Sequence, residues 1–439
     1  MRQLAIIADD LTSATDCGIQ VARSGAGTIV ILGEYNISRN VHGNSVISVD
    51  TDTRSVPAGE AYQIVKEVAT KIRADGYGKI YKSFDSTLRG NLGAEIDAVM
   101  DVYGFDFSVV APAFPHYGRT TVKGRHYLKG VPITQTEFAV DPKSPVREDD
   151  LVELFSSQSR RKVGLVELYA LRSGVTDVSE HIADLTGHGV EIIVFDAQAE
   201  EDLDRIVQTV SKIDSNVLWA GSTGLARCIP QALNLETNKF IGREPPILKR
   251  NAMLVSGSTS EITRNQLNIL KAQVEIVAVE LKPLEIILGT QRASREIADC
   301  RSRLLRALKN GKNVALHVPE SREEVTATKL ETFKMGLDDS QSPIMISEAL
   351  ANITKQVIGE FELRGLILTG GDTAKTVCKE LGGVGIELLE EVEPGVPLGY
   401  LVGTTPMLVV TKAGGFGSPN ALVKALRKLC GKSDSSCAR

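Results

Sequence analysis

Leu4-Ala5-Ile6-Ile7-Ala8-Asp9-Asp10-Leu11-Thr12 begins as a short apolar run and breaks on two carboxylates, and residues 13–22 continue with apolar positions at helical spacing. A run of this length followed by an amphipathic stretch is a strand leading into a helix. The same unit recurs outward along the chain. Apolar, β-branched runs fall at residues 28–32, 46–49, 108–111, 163–167, 191–195 and 216–219, and residues 58–73 read as a helix opened by Pro57. A second series follows at residues 253–255, 275–279, 314–318, 366–368 and 407–410. Strands alternating with helices predict an α/β fold in which each series forms a mainly parallel sheet flanked by helices.

A chain of 439 residues exceeds the usual size of one core, so more than one domain is expected. The polar stretch Glu236-Thr237-Asn238-Lys239-Phe240-Ile241-Gly242-Arg243-Glu244-Pro245-Pro246 separates the two series and is read as a linker. The expected boundaries are 1–235 for the first domain, 236–250 for the linker, 251–430 for the second domain and 431–439 for a flexible tail.

Hydrophobic residues make up 42% and charged residues 24%, the proportions of an ordinary globular protein. The net charge of -5 has its cations dispersed, which argues against nucleic acid as a partner. Cys17, Cys228, Cys300, Cys378, Cys430 and Cys437 show no C-x-x-C pair or metal-type spacing and read as reduced thiols. The first apolar run meets Asp9-Asp10 before a signal-peptide core can form, and no stretch reaches membrane-spanning length. The expected location is therefore the cytoplasm, with no membrane partner.

Asp9-Asp10 stand where a dinucleotide-binding fold carries its glycine fingerprint, and two carboxylates there would repel a pyrophosphate. They suit hydroxyls, a cation or a proton to be abstracted. Neighbouring residues of a strand point to opposite sides, so one of them is expected to face a ligand. The plain alternative is that Asp10 or Thr12 caps the following helix. Asp50-Thr51-Asp52-Thr53-Arg54 closes another strand, and Arg54 offers a two-pronged grip for a carboxylate.

Lys82-Ser83-Phe84-Asp85-Ser86-Thr87-Leu88-Arg89-Gly90-Asn91 gathers two cations, a carboxylate, three hydroxyls and an amide after a strand ending near Tyr81, with Asn91 as the expected cap of the next helix. It reads as a site for a small, oxygen-rich anion; a solvated loop with an Asp85–Arg89 pair is the simpler alternative. Residues 112–132 read as a long, basic, glycine-punctuated loop of the kind that carries function, in which His116 and His126 lack a metal-ligand pattern and read as structural.

Three glycine-rich segments follow strands of the second series: Ser256-Gly257-Ser258-Thr259-Ser260, Thr369-Gly370-Gly371-Asp372-Thr373-Ala374 and Thr411-Lys412-Ala413-Gly414-Gly415-Phe416-Gly417-Ser418. Glycines bring backbone N–H groups close to phosphate oxygens, and a helix N-terminus adds favourable partial charge. Together they point to a nucleotide site without a P-loop, with Lys412 as a candidate point charge for a phosphate.

These motifs, with Pro112-Ala113-Phe114-Pro115 and Gly118-Arg119 in their order, resemble the four-carbon acid sugar kinases over nearly the whole chain. The resemblance implies an N-terminal sugar-acid domain, a C-terminal nucleotide domain, an active site in the cleft between them, and ATP with Mg²⁺ as cofactors; a homodimer is the expected assembly. It places Asp9 or Asp10, Arg54, Lys82, Ser83, Phe84, Asp85 and Arg89 at the substrate, with Asp85, Asp10 and Lys82 the catalytic candidates. Ser258, Gly370, Gly371, Asp372, Thr373, Gly414 and Gly415 fall at nucleotide positions, and no metal ligands are assigned. Phe84-Asp85 before Ser86-Thr87, with Thr136-Glu137-Phe138-Ala139 and Asp141-Pro142-Lys143 further on, looks closer to D-threonate or D-erythronate kinases than to members acting on 3-oxo-tetronates. Ser13, where many members have glycine, is a departure.

The implied chemistry is transfer of a phosphoryl group to the terminal 4-hydroxyl of a tetronate. Arg54 and Lys82, with Arg89, are expected to hold its carboxylate, and either Asp85 or Asp10 to act as base. Three rivals have weaker support. The haloacid-dehalogenase-like phosphatase pattern breaks at Arg54 and again at Thr376; a non-catalytic sugar-acid sensor leaves the acid-base candidates unexplained; a nicotinamide dehydrogenase lacks its fingerprint at Asp9-Asp10.

Overall fold

The computed structural model describes residues 2–33, 35, 45–141, 143–213, 215–236, 251–319, 321–336 and 341–431. The linker expected at 236–250 falls outside these residues after Glu236, and the tail expected at 431–439 falls outside them after Gly431. The chain divides into two compact units, Met1–Phe240 and Ile241–Arg439.

In the first unit the chain runs β1 (Leu4–Ala8), α1 (Leu11–Ala22), β2 (Thr28–Ile31), β3 (Val46–Asp50), α2 (Ala58–Ala74), β4 (Ile80–Ser83), α3 (Leu92–Tyr103) and β5 (Phe107–Ala111). After a small excursion described below come α4 (Leu151–Gln158), β9 (Lys162–Val166), α5 (Val175–Gly187), β10 (Val190–Phe195), α6 (Glu200–Val210) and β11 (Val217–Gly221). The strands lie in the order β2-β3-β1-β4-β11-β5-β10-β9, every pair parallel. A parallel sheet is covered on both faces, so its inner strands are apolar throughout. β1 shows this, with all five residues buried, and Leu4 and Ile6 share one core cluster with Cys17 and Val21 of α1.

β1 lies where the chain has placed β2 and β3 to one side and β4 to the other. Ala8 is level with Asp50 of β3 and with Ser83 of β4. The segments after β1, β3 and β4 therefore leave one edge of the sheet side by side, at the kind of switch point where α/β sheets bind ligands. β4 runs on to Ser83 instead of ending near Tyr81, which puts Lys82 and Ser83 inside the strand.

The expected loop at residues 112–132 is instead a small antiparallel sheet, β6 (Arg119–Val122), β7 (Arg125–Leu128) and β8 (Val131–Pro132). Its turns are Lys123-Gly124 (φ 53 and 73) and Lys129-Gly130 (φ 50 and 81). Two consecutive left-handed residues make the tight turn that suits the strand twist, with glycine second.

The second unit contains β12 (Ala252–Ser256), α7 (Glu261–Gln273), β13 (Ile276–Glu280), α8 (Thr290–Lys309), β14 (Asn313–His317), α9 (Gln341–Glu360), β15 (Gly365–Thr369), α10 (Gly371–Glu380), β16 (Gly383–Glu393), β17 (Val396–Gly403), β18 (Met407–Lys412) and α11 (Ala421–Cys430). The order is β13-β14-β12-β15-β18-β17-β16, parallel as far as β18 and antiparallel beyond it. The hairpin β16–β17 went unforeseen, because Glu387, Glu390, Glu391 and Glu393 break the apolar pattern of its first strand. Ser256 is level with Thr369 and Thr369 with Lys412, so the three glycine-rich segments also leave one sheet edge together. Among the described residues no helix is long and apolar enough to cross a membrane.

Candidate functional site

Arg54 is the hub of the first unit's sheet edge. Its Nε donates to Asp9 Oδ2 at 2.7 Å and its Nη2 to Asp9 Oδ1 at 3.0 Å, while Nη1 pairs with Asp10 Oδ2. Nη2 also donates to Ser13 Oγ at 2.9 Å, so the departure at Ser13 supplies an acceptor for the hub. Asp10 additionally caps α1 by accepting from Ser13 N at 2.7 Å. Asp10 thus takes the capping role expected of it through Oδ1, while Oδ2 meets Arg54.

Burial pushes the Asp10 carboxyl up and the Asp9 charge adds to this; Arg54 opposes both, and the result is about 6. Asp85 has the opposite outcome. Burial would raise it, but Arg89 and Arg54, with hydrogen bonds from Arg89 and Thr87, hold it well below the usual carboxylate range. Arg89 Nε reaches Asp85 Oδ2 at 2.6 Å and its Nη1 reaches Asp141 Oδ2 at 3.1 Å, with its guanidinium carbon 5.2 Å from the Phe138 ring centroid.

The side chains of Lys82, Ser83 and Phe84, expected to face substrate, are buried. Lys82 Nζ pairs with Glu95 Oε2 at 2.7 Å and donates to Ser83 O at 2.6 Å and Ile7 O at 3.2 Å. It ties the ends of β1 and β4 together beneath the edge, and its expected grip on a substrate carboxylate does not fit this geometry. Ser83 Oγ lies 3.0 Å from Cys17 Sγ, and Phe84 packs on Phe155 with ring centroids 6.2 Å apart. Glu95 was missed, although a carboxylate one turn into an otherwise apolar helix start was its signal.

Asn91 occupies the cap position of α3 without capping it by its side chain. Its amide donates to Thr53 O at 2.9 Å and Val56 O at 2.8 Å, joining the segment after β3 to the segment after β4. Leu88 sits at φ 64 in that second segment, a left-handed conformation that costs a non-glycine residue roughly 1–2 kcal/mol. His126 is the structural histidine expected: its ring meets Thr121 Oγ1 at 3.0 Å and Ser86 O at 2.9 Å. A cavity of about 350 Å³ opens beside the cluster, lined by Arg54, Gly90, Asn91, Lys143, Ser144 and Arg147 among others; Asp9, Asp10 and Asp85 do not line it.

In the second unit the three glycine-rich segments pack on one another. A Cβ on Gly257 would lie 2.0 Å from Thr373 Oγ1, and one on Gly414 would lie 2.4 Å from Ser258 Oγ. Ser258 therefore sits between the segment opening α10 and the segment after β18, at a spacing only glycine permits. Gly370 takes φ 99 as the cap residue of α10, and Asp372 is exposed in its first turn. Lys412, expected to meet a phosphate, is buried and turned inward onto backbone carbonyls. Of the expected residues, the structure thus gathers Asp9, Asp10, Arg54, Asp85 and Arg89 in one unit, and Ser258, Gly370, Gly371, Thr373 and Gly414 in the other. Among the described residues no group of three or more His, Cys, Asp or Glu is placed to hold a metal.

An edge that concentrates carboxylates and guanidinium groups, in a chain whose second sheet edge concentrates glycine-rich turns at helix starts, defines a phosphotransferase acting on a small polar acceptor. A sugar-binding N-terminal domain matches residues 4–229 and a nucleotide-binding C-terminal domain matches residues 253–422. The chain belongs to the four-carbon acid sugar kinase family.

It is 32% identical to the D-threonate kinase of Salmonella typhimurium strain LT2 over 97% of each chain. Identity to the D-erythronate kinase of Heliobacterium modesticaldum is 30%, over 96% of this chain and 95% of the relative. The 3-oxo-tetronate kinase of Burkholderia multivorans is 27% identical over 98% and 97%. A crystal structure from Salmonella typhimurium LT2 shares the fold with a TM-score of 0.81 at 22% identity, covering 98% of this chain and 100% of that one. One from Haemophilus influenzae does so with a TM-score of 0.71 at 24% identity, covering 96% and 98%.

Proposed function

We propose that this chain transfers the terminal phosphoryl group of ATP to the 4-hydroxyl of D-threonate, with Asp10 as the base that receives the hydroxyl proton. The observation that carries the residue assignment is the contrast between two carboxylates on one sheet edge. Asp10 lies near 6, close to where a general base works at neutral pH, whereas Asp85 is held too acidic by its guanidinium partners to accept a proton readily. Asp85 instead fixes Arg89, and Arg89 with Arg54 is the pair of guanidinium groups this reading assigns to the acid-sugar carboxylate.

The residues of the second unit suit ATP, because glycines bring the segments at Ser258, Gly370 and Gly414 together at helix starts. ATP held there would supply the phosphoryl group, and Mg²⁺ bound with it would neutralise charge on the phosphates. D-threonate is chosen on the 32% identity to its kinase, while the order Phe84-Asp85 before Ser86-Thr87 supports D-threonate and D-erythronate alike over 3-oxo-tetronates. The kinase of D-erythronate at 30% supports that acid as the second reading.

The test measures ADP release with ATP, Mg²⁺ and a panel of D-threonate, D-erythronate and 3-oxo-tetronate, and locates the new phosphate by phosphorus NMR. D-threonate should show the highest kcat/KM and a 4-phosphate. No turnover of any four-carbon acid by a protein that binds ATP would end the reading. Asp10→Asn should lower kcat by roughly 10²–10⁴-fold, the usual contribution of a general base. Asp85→Asn should act mainly on KM for the acid, and a larger kcat loss there than at Asp10 reverses the assignment.

A further inference from the structure

The segment after β18 is held from inside by side chains that all seek its carbonyl oxygens. Lys412 Nζ lies 2.6 Å from Ala413 O, 3.2 Å from Phe416 O and 3.4 Å from Gly414 O. Gln266 Nε2, on α7, is shared among Phe416 O at 3.1 Å, Gly417 O at 3.2 Å and Ser418 O at 2.9 Å. Three carbonyls around one end of the amide identify that end as the nitrogen. Gly414 O also accepts from Ser260 Oγ at 2.6 Å and Thr263 Oγ1 at 2.9 Å. Gln266 and Thr263 are fully buried and Lys412 nearly so.

A trans peptide unit is planar, with its C=O and the next N–H pointing in opposite directions. Drawing the carbonyls of Ala413, Gly414 and Phe416 inward therefore turns the N–H groups of Gly414, Gly415 and Gly417 outward. The N–H of Ser418, next in line, is taken by Glu393 Oε1. Gly415 is exposed, has no positive φ, and a Cβ there would meet nothing within 4 Å. Neither packing nor backbone conformation calls for glycine at that position, whereas close approach of a ligand to the backbone does.

We propose that Gln266 and Lys412 are positioning residues for the nucleotide phosphates. They touch no phosphate. They pin the carbonyls of residues 413, 414 and 416–418 inward so that a row of glycine N–H groups faces an anion. This rests on the reading of the second unit as the ATP-binding one.

The test uses the full chain with Gln266→Met and Lys412→Met, which keep bulk and remove the donors, and compares ATP affinity by calorimetric titration with KM for ATP and for the acid sugar. Folding is followed by circular dichroism and thermal melting. Each variant should fold, weaken ATP binding and raise KM for ATP by at least about tenfold, and leave KM for the acid unchanged. A folded Gln266→Met with wild-type ATP affinity overturns the proposal, as does an equal rise in both KM values. Should neither variant fold, Thr263→Val, which replaces by a methyl the hydroxyl that donates to Gly414 O and accepts from Lys412 Nζ, carries the same expectation and the same refutation. Wild-type protein that fails to bind ATP defeats the underlying nucleotide reading instead, and the two failures are thereby told apart.

Discussion

Glu95 and Lys82 meet at 2.7 Å with neither side chain in contact with solvent. Removing one member of such a pair leaves a buried charge without its partner, at a cost of about 3–5 kcal/mol, whereas replacing both by apolar groups is often close to neutral. Glu95→Gln should therefore lower the urea midpoint of the first unit sharply, and Glu95→Leu combined with Lys82→Met should recover much of it. A single variant as stable as wild type would show that the pair is not a strut. Asp10 gives a prediction in pH. Its carboxyl lies near 6 because desolvation and the charge of the neighbouring Asp9 outweigh Arg54, so kcat/KM should fall on an acid limb centred near 6 as the base takes up its proton. Asp9→Asn removes a charge that raises Asp10 and should shift the limb to lower pH. The effect of Asp10 on stability has the reverse sense. Its folded pKa exceeds 3.8, so its contribution is greatest in acid and is lost as the pH rises through about 6.

The antiparallel sheet β6–β8 meets the segment after β4 through the side chain of His126. The ring of His126 on β7 bonds Thr121 on β6 and the carbonyl of Ser86 in the segment after β4. Burial pushes this histidine down to about 4, so it is neutral in the fold. A group whose folded pKa is depressed contributes stability above its unfolded value of 6.5 and loses it as the pH falls from there toward about 4. Urea midpoints should decline across that window in wild type and less steeply in His126→Gln. Gly124→Ala should destabilise the same sheet by about 1 kcal/mol or more, because the residue holds φ 73 and a new Cβ would lie 3.2 Å from Leu165. The sequence shows elements of this kind only in part. The parallel strands were legible because they are apolar along their whole length, as in β1 and β12. β6 and β7 were not, since polar residues such as Arg119, Thr121 and His126 are buried there by hydrogen bonding instead of hydrophobicity; the signal was in the turns Lys123-Gly124 and Lys129-Gly130.

At the scale of the molecule, the strand order decides which residues can act together. Asp9, Arg54 and Asp85 are far apart in sequence but follow β1, β3 and β4, whose ends are level, and Ser258, Gly370 and Gly414 follow β12, β15 and β18 in the same way. Residue types at strand ends were therefore enough to find both groups. Which way each side chain turns was not legible, because a lysine in a loop and a lysine completing a strand read alike until the partner is known. Lys82 finds Glu95 on α3 and Lys412 finds the carbonyls of its own loop, and each becomes part of the frame beneath a site. The two groups should respond to different ligands. A ligand that binds only the folded state stabilises the unit that holds it, by about 2.7 kcal/mol at a hundred times its Kd. In hydrogen exchange on the whole chain, ATP should slow residues 256–260, 369–374 and 411–418, and D-threonate should slow residues 9–13, 50–54 and 82–91. Protection of residues 9–13 by ATP alone, with no effect at 411–418, would reverse the assignment of the units. Protection of both sets by either ligand alone would mean that each ligand's binding free energy is shared by both units, and the ligand specificity of each set would then rest on the substitutions at Asp10 and Gln266.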